Sequence, residues 1–256
     1  MRPSIAELRA VAHPEGLLDR RSGEHWAGRR YMRAVSLRVT RLLVPTPVSP
    51  NALTLTMLVV GVAAAVVLAW PTWWHAAITA FGVQLYLLLD CVDGELARWR
   101  RTTSAAGVYL DRLGHHVVEA ALLVALGVRA AGGPSADWSG WHVLGALAAL
   151  VAVLGKVETD LVTVARAGAG LTPKDSANAA SRHPGVRRAR RAVARVPLHR
   201  MVGAVELSLV VIIAAIVDAV VGGLLATRFV LVVAASVGTL VAIGHPITIL
   251  TSERLR

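Results

Sequence analysis

The sequence of 256 residues contains one cysteine, Cys91, and few charged residues, which make up 17% of the chain. A single cysteine excludes a small fold held together by disulfides. Ordinary soluble domains carry about a quarter charged residues and a smaller apolar share. Here 55% of the residues are hydrophobic and the mean hydropathy is +0.58. This apolar content also excludes an intrinsically disordered chain.

Acidic residues are especially scarce, because 16 Asp and Glu stand against 27 Lys and Arg, which gives a formal net charge of +11. A soluble nucleic-acid-binding protein has comparable basic charge but not this apolar content. The combination predicts a polytopic membrane protein whose positive charge lies mainly on one side of the bilayer.

Six runs of the sequence are apolar and long enough to cross a membrane, which takes about 20 residues. The predicted fold is therefore all-α, with six transmembrane helices and an N-terminal amphipathic juxtamembrane helix. The predicted spans are approximately Ala52–Trp70, Trp74–Cys91, Gly107–Ala130, Trp141–Ala165, Met201–Val221 and Phe229–Leu250.

The connecting segments predict the orientation. The segments on one side, Pro71–Trp73, Ala131–Gly140 and Gly222–Arg228, contain Arg228 as their only basic residue. The other segments carry nearly all the remaining Lys and Arg. By the positive-inside rule, both chain termini are expected in the cytoplasm.

We divide the chain into a cytoplasmic N-terminal segment, residues 1–44, and a transmembrane domain, residues 45–256. Within the first, Trp26–Val44 alternates Arg with apolar residues at helical spacing, which favours an amphipathic helix on the membrane surface. The alternative is a solvated basic tail. Within the second, residues 166–200 are predicted as a basic cytoplasmic loop that contacts anionic lipid.

Carboxylates near the end of a membrane helix are energetically expensive and usually functional. Asp90 and Asp93 end the second span and share one helix face, because they are three residues apart. The next helix brings Asp111 and His115 at an interval of four. Since a short turn joins the two helices, these side chains are expected to meet, and hard oxygen ligands of this kind suit Mg²⁺ or Mn²⁺ with substrate phosphates.

This pattern resembles the CDP-alcohol phosphotransferase (CDP-alcohol phosphatidyltransferase) family, integral membrane enzymes of phospholipid synthesis. The family signature is D-x2-D-G-x2-A-R, eight or nine residues, then G-x3-D-x3-D. Seven of its eight positions match at the correct spacing. They are Asp90, Asp93, Gly94, Ala97, Arg98 and, after eight residues, Gly107 and Asp111. The segment Pro50–Thr54 also resembles the start of the first span in this family, and the likeness covers about Thr46 to Ala165.

The resemblance implies a reaction and a set of ligands. The acceptor hydroxyl attacks the β-phosphorus of a CDP-alcohol and CMP is released, while metal ions bridge the diphosphate. The implied metal ligands are Asp90, Asp93, Asp111 and His115. The implied nucleotide-binding residues are Asn51, Thr54, Asp93, Gly94, Ala97, Arg98, Gly107 and Asp111. For the glycines taken alone, close helix packing is the alternative.

The last signature position departs from the family, because His115 stands where the pattern has a fourth Asp. In the family that carboxylate is thought to be the base that deprotonates the acceptor. Histidine is able to act as a base near neutral pH and also to bind a metal, although it suits Mg²⁺ less than Mn²⁺. Three interpretations stay open: a catalytic base, a ligand without that role, and a lost catalytic group. Glu119, one turn further on, is predicted to orient the ring.

Lys156 resembles in position a basic residue that some family members use to hold a phosphate of the acceptor, and Arg200 is a second candidate. For Lys156, an ion pair with Glu158 or Asp160 is the alternative. The expected partners are a CDP-alcohol donor, with CDP-diacylglycerol favoured, a hydroxyl acceptor and membrane lipid, without nucleic acid. The resemblance also implies a homodimer.

We expect the protein to be integral to the plasma membrane, with its active site on the cytoplasmic side. Two other functions remain as alternatives. One is a pseudoenzyme that binds CDP-lipid without turnover, and the other is a small membrane transporter or anchor. The dense acidic signature disfavours the second, because a transporter has no use for such an array.

Overall fold

The six predicted apolar runs are helical in the computed structural model, which describes residues 3–14, 27, 31–171, 203–252 and 255. These residues form eight helices and no strand. The two short helices are α1 (Ile5–Ala12) and α2 (Arg33–Leu43). The six long ones are α3 (Pro50–Leu68), α4 (Trp73–Arg100), α5 (Ala105–Ala131), α6 (Gly140–Gly168), α7 (Ala204–Val221) and α8 (Leu225–Leu250).

All six long helices have the length and the apolar composition of membrane spans. The predicted all-α, polytopic membrane fold is therefore confirmed. The largest difference in bounds concerns α4, which was predicted to end at Cys91 and continues to Arg100. The apolar run does end there, but the helix continues because the polar side chains that follow are bonded within the protein, as with the buried Glu95.

The described part of the N-terminal segment contains two short helices where the sequence predicted one. Helix α2 lies inside the predicted range Trp26–Val44, whose first residue is outside the described part of the chain. Its buried residues are Ser36, Leu37 and Thr40, so its inner face is partly polar. Helix α1 was not predicted. It starts with a capping box in which Ser4 and Glu7 exchange hydrogen bonds of 2.7 and 3.1 Å.

The chain divides into two compact units. The first comprises Met1–Ala64 and Phe81–Val118, and the second comprises Ala65–Ala80 and Glu119–Arg256. The basic loop predicted at residues 166–200 lies outside the described residues from residue 172 onward.

In the first unit, two apolar clusters join the short helices to the long ones. Leu8 and Ala12 of α1 pack on Leu37 of α2, together with Trp99 of α4. A second cluster is centred on buried residues of α3 and α4, namely Leu53, Val92 and Leu96. Both clusters fix the C-terminal part of α4 against its neighbours.

The guanidinium of Arg100, at the end of α4, binds the segment that connects α2 to α3. It donates hydrogen bonds of 2.5–3.2 Å to four backbone carbonyls, one in the last residue of α2 and three in the residues after it. These carbonyls are those of Leu43, Val44, Thr46 and Val48. One side chain therefore supplies donors to a stretch of backbone that no helix satisfies.

In the second unit, α8 packs against both α6 and α7. Helices α5 and α6 meet at Gly127 and Gly145, where a Cβ atom added to Gly127 would lie 2.8 Å from the Cα of Gly145. Small residues allow membrane helices to approach this closely. The fully buried Arg129 donates to the carbonyls of Trp70, Pro71 and Thr72, which form the turn between α3 and α4.

Candidate active site

The candidate active site lies in the first unit, around a cavity of about 360 Å³, a volume typical of small-molecule sites. Its walls come from α2, the start of α3, the end of α4, the following turn and the start of α5. The lining residues are Arg33, Pro50, Asn51, Thr54, Asp90, Asp93, Gly94, Ala97, Arg98, Thr102, Thr103, Ser104, Gly107, Val108 and Asp111. All seven matching signature residues and all eight predicted nucleotide-binding residues are in this set.

The turn between α4 and α5 determines how the two helices face each other. Arg101 takes the left-handed conformation, with φ of 56°, and the Thr102 amide donates to the Ala97 carbonyl at 2.9 Å, which closes a Schellman-type end of α4. Ser104 then caps α5, because its Oγ accepts from the Gly107 amide at 3.1 Å. This short connection brings Asp111 and His115 to the level of Asp90.

Three of the four predicted metal ligands gather at one point. One ligand atom from each of Asp90, Asp111 and His115 lies within 4.8 Å of the other two. Nε2 of His115 lies 3.2 Å from Oδ1 of Asp90 and 3.4 Å from Oδ1 of Asp111. Both carboxylates therefore face the same imidazole nitrogen.

This cluster fits a divalent cation. Oδ1 of Asp111 is buried and has no hydrogen-bond partner among the described residues, so a ligand oxygen is available. The separations of 3.2 and 3.4 Å between Nε2 and the two carboxylate oxygens are short enough for these groups to bind one small cation together. Two carboxylates with one imidazole are a donor set that suits Mn²⁺ at least as well as Mg²⁺.

Asp93 lines the same cavity but does not belong to this group of three. Its Oδ2 accepts a hydrogen bond of 2.5 Å from Oγ1 of Thr54, and the residue is buried. Thr54 is thus the side chain through which the start of α3 is tied to the acidic end of α4. The metal-binding role of Asp93 stays a prediction.

Two glycines of the signature allow close approach in the cavity wall. A Cβ atom at Gly94 would lie 3.1 and 3.3 Å from Nη1 and Nη2 of Arg98, so the guanidinium rests on the bare α4 backbone. A Cβ atom at Gly107 would lie 3.3 Å from Oδ1 of Asn51. Both contacts involve residues predicted to bind the nucleotide, and that role of the glycines stays a prediction beside close packing.

His115 has a partner that the sequence reasoning missed. The hydroxyl of Tyr86, on α4, is hydrogen-bonded to Nδ1 of His115, and the two rings meet edge to face with centroids 5.6 Å apart. Tyr86 lies one helical turn before Asp90 on the same face, which is a signal that the sequence does contain. Arg33, from α2, is a second missed residue of the cavity wall.

Glu119 was predicted to orient His115, but the structure gives it another partner. Nζ of Lys156 lies 2.7 Å from Oε1 of Glu119, within the second unit. Among the described residues, it is Tyr86 that is bonded to Nδ1 of His115, and the orienting role of Glu119 stays a prediction. The expected ion pair of Lys156 with Glu158 or Asp160 is replaced by this one, and Glu158 lies 3.2 Å from Nδ1 of His245.

Only one of the two predicted acceptor-binding residues lies in the described part of the chain. Lys156 is described and paired with Glu119, so its role toward the acceptor stays a prediction. Arg200 lies outside the described residues.

The sequence matches the family model of CDP-alcohol phosphatidyltransferase over residues 47–250. This match covers most of the chain and continues through the last two membrane helices. The chain therefore belongs to the CDP-alcohol phosphatidyltransferase family, which is a family of transferases.

A curated relative is the bifunctional IPC transferase and DIPP synthase of Thermococcus kodakarensis, with 30% identity over 139 residues. The match covers 54% of this chain, and it spans only 30% of the length of that relative.

Two solved structures have a similar fold, both of phosphatidylinositol phosphate synthase from Mycobacterium tuberculosis. The structure with CDP-DAG bound has a TM-score of 0.54 at 19% identity, and the match covers 86% of this chain and 96% of that one. The apo form has a TM-score of 0.50 at 18% identity, with 86% and 98% covered. At these identities the likeness establishes the fold.

Proposed function

We propose that the protein transfers a phosphatidyl group from a CDP-alcohol to an acceptor hydroxyl and releases CMP, in phospholipid biosynthesis. CDP-diacylglycerol is the favoured donor. The observation that carries this proposal is that all seven matching signature residues line one cavity. Membership of the family supports it, and so does the fold shared with a synthase whose structure has CDP-DAG bound.

The donor would be held by its diphosphate. Arg33 and Arg98 are the cationic side chains of the cavity wall, and a guanidinium matches two phosphate oxygens at once. Asn51 lies beside Gly107, where a larger residue would close the space that the nucleotide needs.

The transfer itself requires one proton to move and one bond to be exchanged. The acceptor hydroxyl gives its proton to Nε2 of His115, and its oxygen forms a bond to the β-phosphorus. The bond from that phosphorus to the bridging oxygen breaks, and CMP leaves with this oxygen. Tyr86 holds the other ring nitrogen, which keeps Nε2 directed at the carboxylate side of the cavity.

Asp90 and Asp111 would hold Mg²⁺ or Mn²⁺, with Asp93 as a further predicted ligand. His115 is the alternative ligand, because Tyr86 is bonded to Nδ1 and the remaining Nε2 binds either a metal or the acceptor proton. A divalent cation here neutralises the charge that develops on the phosphate oxygens. Without it, the carboxylates that line the cavity would repel an anionic donor.

We infer that the termini and the cavity face the cytoplasm, in the plasma membrane, because nearly all basic connecting residues lie at that end of the helices. Lys156 and Arg200 remain the proposed contacts for an acceptor that carries a phosphate, and a homodimer remains the proposed assembly.

The proposal is tested by following CMP release. The purified protein in lipid nanodiscs is given CDP-diacylglycerol, Mg²⁺ or Mn²⁺, and in turn glycerol phosphate, inositol phosphate or serine. We expect acceptor-dependent CMP release that EDTA abolishes. Asp90→Asn should lower the rate at least about 100-fold, because it removes a charged ligand. Asp137→Asn is the matched control, since Asp137 is exposed in the turn before α6.

The role of His115 is tested with two variants. His115→Ala should lower the rate about 100-fold if the imidazole is the base. His115→Asp restores the family residue and should shift the preferred ion from Mn²⁺ toward Mg²⁺. An unchanged rate in His115→Ala contradicts the base assignment.

The alternative functions give different results in the same assay. A wild-type protein that binds the donor without releasing CMP, and gains turnover as His115→Asp, is a pseudoenzyme. Transport activity that survives Asp90→Asn indicates the transporter.

A further inference from the structure

Glu95 is a fully buried carboxylate that lies between two signature residues, Gly94 and Arg98. Its oxygens accept hydrogen bonds of 2.6 Å from Ser36 and 2.7 Å from Thr40. An unpaired carboxylate in this position would cost several kcal/mol, so a site of this kind persists only when donors surround it. The donors come from the N-terminal segment.

Two further donors reach Oε1 of Glu95, the oxygen that accepts from Ser36. Nε2 of His13, one residue after α1, lies 3.0 Å from Oε1 of Glu95, and Nη1 of Arg33 lies 3.4 Å from it. His13 and Arg33 also contact each other at 3.3 Å. Glu95 thus ties α1 and α2 to the last turns of α4.

Apolar contacts and one backbone contact strengthen the same junction. Leu8 and Ala12 of α1 are fully buried against Leu37. Nε of Arg41 donates to the carbonyl of Pro3 at 2.8 Å. We call residues 3–14 and α2 together the N-terminal bracket.

The bracket reaches the cavity through Arg98. Nε of Arg98 donates to the backbone carbonyl of Ala12 at 2.7 Å. This bond leaves Nη1 and Nη2 over Gly94, at the cavity wall. The end of α1 therefore determines where the guanidinium of a signature residue points.

Arg33 gives a second connection. It lines the cavity and is bonded to Glu95, so both arginines of the cavity wall are held by the same junction. A long cationic side chain that is already fixed loses less conformational entropy when it binds phosphate than a mobile one.

We propose that His13 and Glu95 are positioning residues, which hold the N-terminal bracket on α4 so that Arg98 and Arg33 are fixed for the diphosphate of the donor. The inference rests on the proposed function, because the ligand of the cavity is taken to be a cytidine diphosphate. It adds that the N-terminal helix α1, although outside the family signature, contributes to donor binding.

The test measures binding and turnover separately in the full-length protein. CDP alone, with Mn²⁺, is titrated calorimetrically to obtain Kd, and the KM values of donor and acceptor are measured by CMP release. The variants are His13→Leu, which removes the donor to Glu95, and His13→Gln, which supplies another. Arg9→Gln is the matched control, because Arg9 is an exposed cation on the same helix.

We expect His13→Leu to raise Kd for CDP and KM for the lipid donor about five- to ten-fold, with the KM of the acceptor unchanged. His13→Gln should recover values within about two-fold of wild type, and Arg9→Gln should match wild type. In an Arg98→Lys background, which lacks Nε, the effect of His13→Leu should shrink to about two-fold.

The Kd for CDP decides whether the N-terminal bracket contributes to donor binding. Unchanged Kd for CDP in His13→Leu overturns the inference even if CMP is released normally, and so does a wild-type protein that binds no CDP. Weaker CDP binding in this variant supports the inference even if no acceptor is ever used, which would contradict only the proposed function. If His13→Leu does not fold, Glu95→Gln carries the same comparison, since the amide keeps the shape and loses the charge.

Discussion

The hydroxyl of Tyr86 and the imidazole of His115 form a pair that the family signature does not contain. An imidazole has two ring nitrogens, and one of them must be held by a partner so that Nε2 points into the site. An aspartate side chain has no such requirement. Tyr86 supplies that partner from the same face of α4 as Asp90. In this chain the histidine at the last signature position therefore has a partner for its second ring nitrogen.

Tyr86→Phe removes the hydroxyl and keeps the ring that packs near Gly61. Loss of one hydrogen bond to the imidazole, about 1 to 1.5 kcal/mol, should lower kcat about ten-fold. KM for the donor should stay unchanged, because Tyr86 does not line the cavity wall. The measurement is steady-state CMP release.

Tyr109→Phe is the control for this prediction, since Tyr109 is 65% exposed on α5. If Tyr86→Phe and Tyr109→Phe have the same kcat, the orienting role of Tyr86 is wrong.

Most single residues of the site were predictable because the signature places them at fixed positions on two adjacent helices. Arg33 and the bracket were not, because they come from a segment whose composition indicated only a basic surface helix. The partner of Lys156 was mistaken for a similar reason. Its charge neighbours along the chain are Glu158 and Asp160, but its partner Glu119 comes from another helix.

At the scale of elements, α5 and α6 of the second unit approach each other closely at Gly127 and Gly145. Cβ atoms added there would lie 2.7–2.8 Å from backbone atoms, which cannot move as a flexible side chain does. The close packing of the two helices therefore requires glycine, which has no side chain, at both positions.

Gly127→Ala should force α5 and α6 apart and cost about 1 to 3 kcal/mol of stability. The expected result is a clear fall in the thermal unfolding temperature in detergent, measured by the fluorescence of the tryptophans. Gly155→Ala on α6 is the control, because its Cβ would meet Val241 at an ordinary 3.7 Å. Equal unfolding temperatures for the two variants would show that the close contact does not limit stability.

The helices were predicted well where apolar runs define them and less well where polar side chains continue them. Helix α3 starts at Pro50, two residues before the predicted start, since proline is favoured in the first helical turn. Helix α4 was placed too short, because the sequence does not reveal that Glu95 is satisfied by donors from residues 13 to 40. Long-range partners of this kind leave no local pattern.

At the scale of the whole molecule, we expect the formal net charge of +11 to reflect the topology. Along the sequence, the basic residues are concentrated before α3, around the end of α4, between α6 and α7 and after α8, and the aspartates of the cavity belong to the last part of α4 and the first part of α5. We expect the anionic donor to be drawn to this surface and the cation to be held within it.

The orientation is tested by cysteine labelling in intact cells. Ser135→Cys, in the turn between α5 and α6, should react with a membrane-impermeant maleimide from outside. Ala10→Cys, exposed on α1, should react only after the membrane is permeabilised. The wild-type protein is the control, because its single cysteine, Cys91, is buried. The reverse pattern of labelling would contradict the cytoplasmic assignment.

The turn between α7 and α8 has a consequence for how the chain enters the membrane. Gly222 and Gly223 take positive φ of 86° and 88°, and the carboxylate of Asp218 accepts from the amides of Ala226 and Thr227 at 2.8 and 2.9 Å. The first amides of α8 are thus bonded to a side chain of the preceding helix. During biosynthesis these two helices can pass from the translocon into lipid as one hairpin, with the polar groups of its tip already shielded.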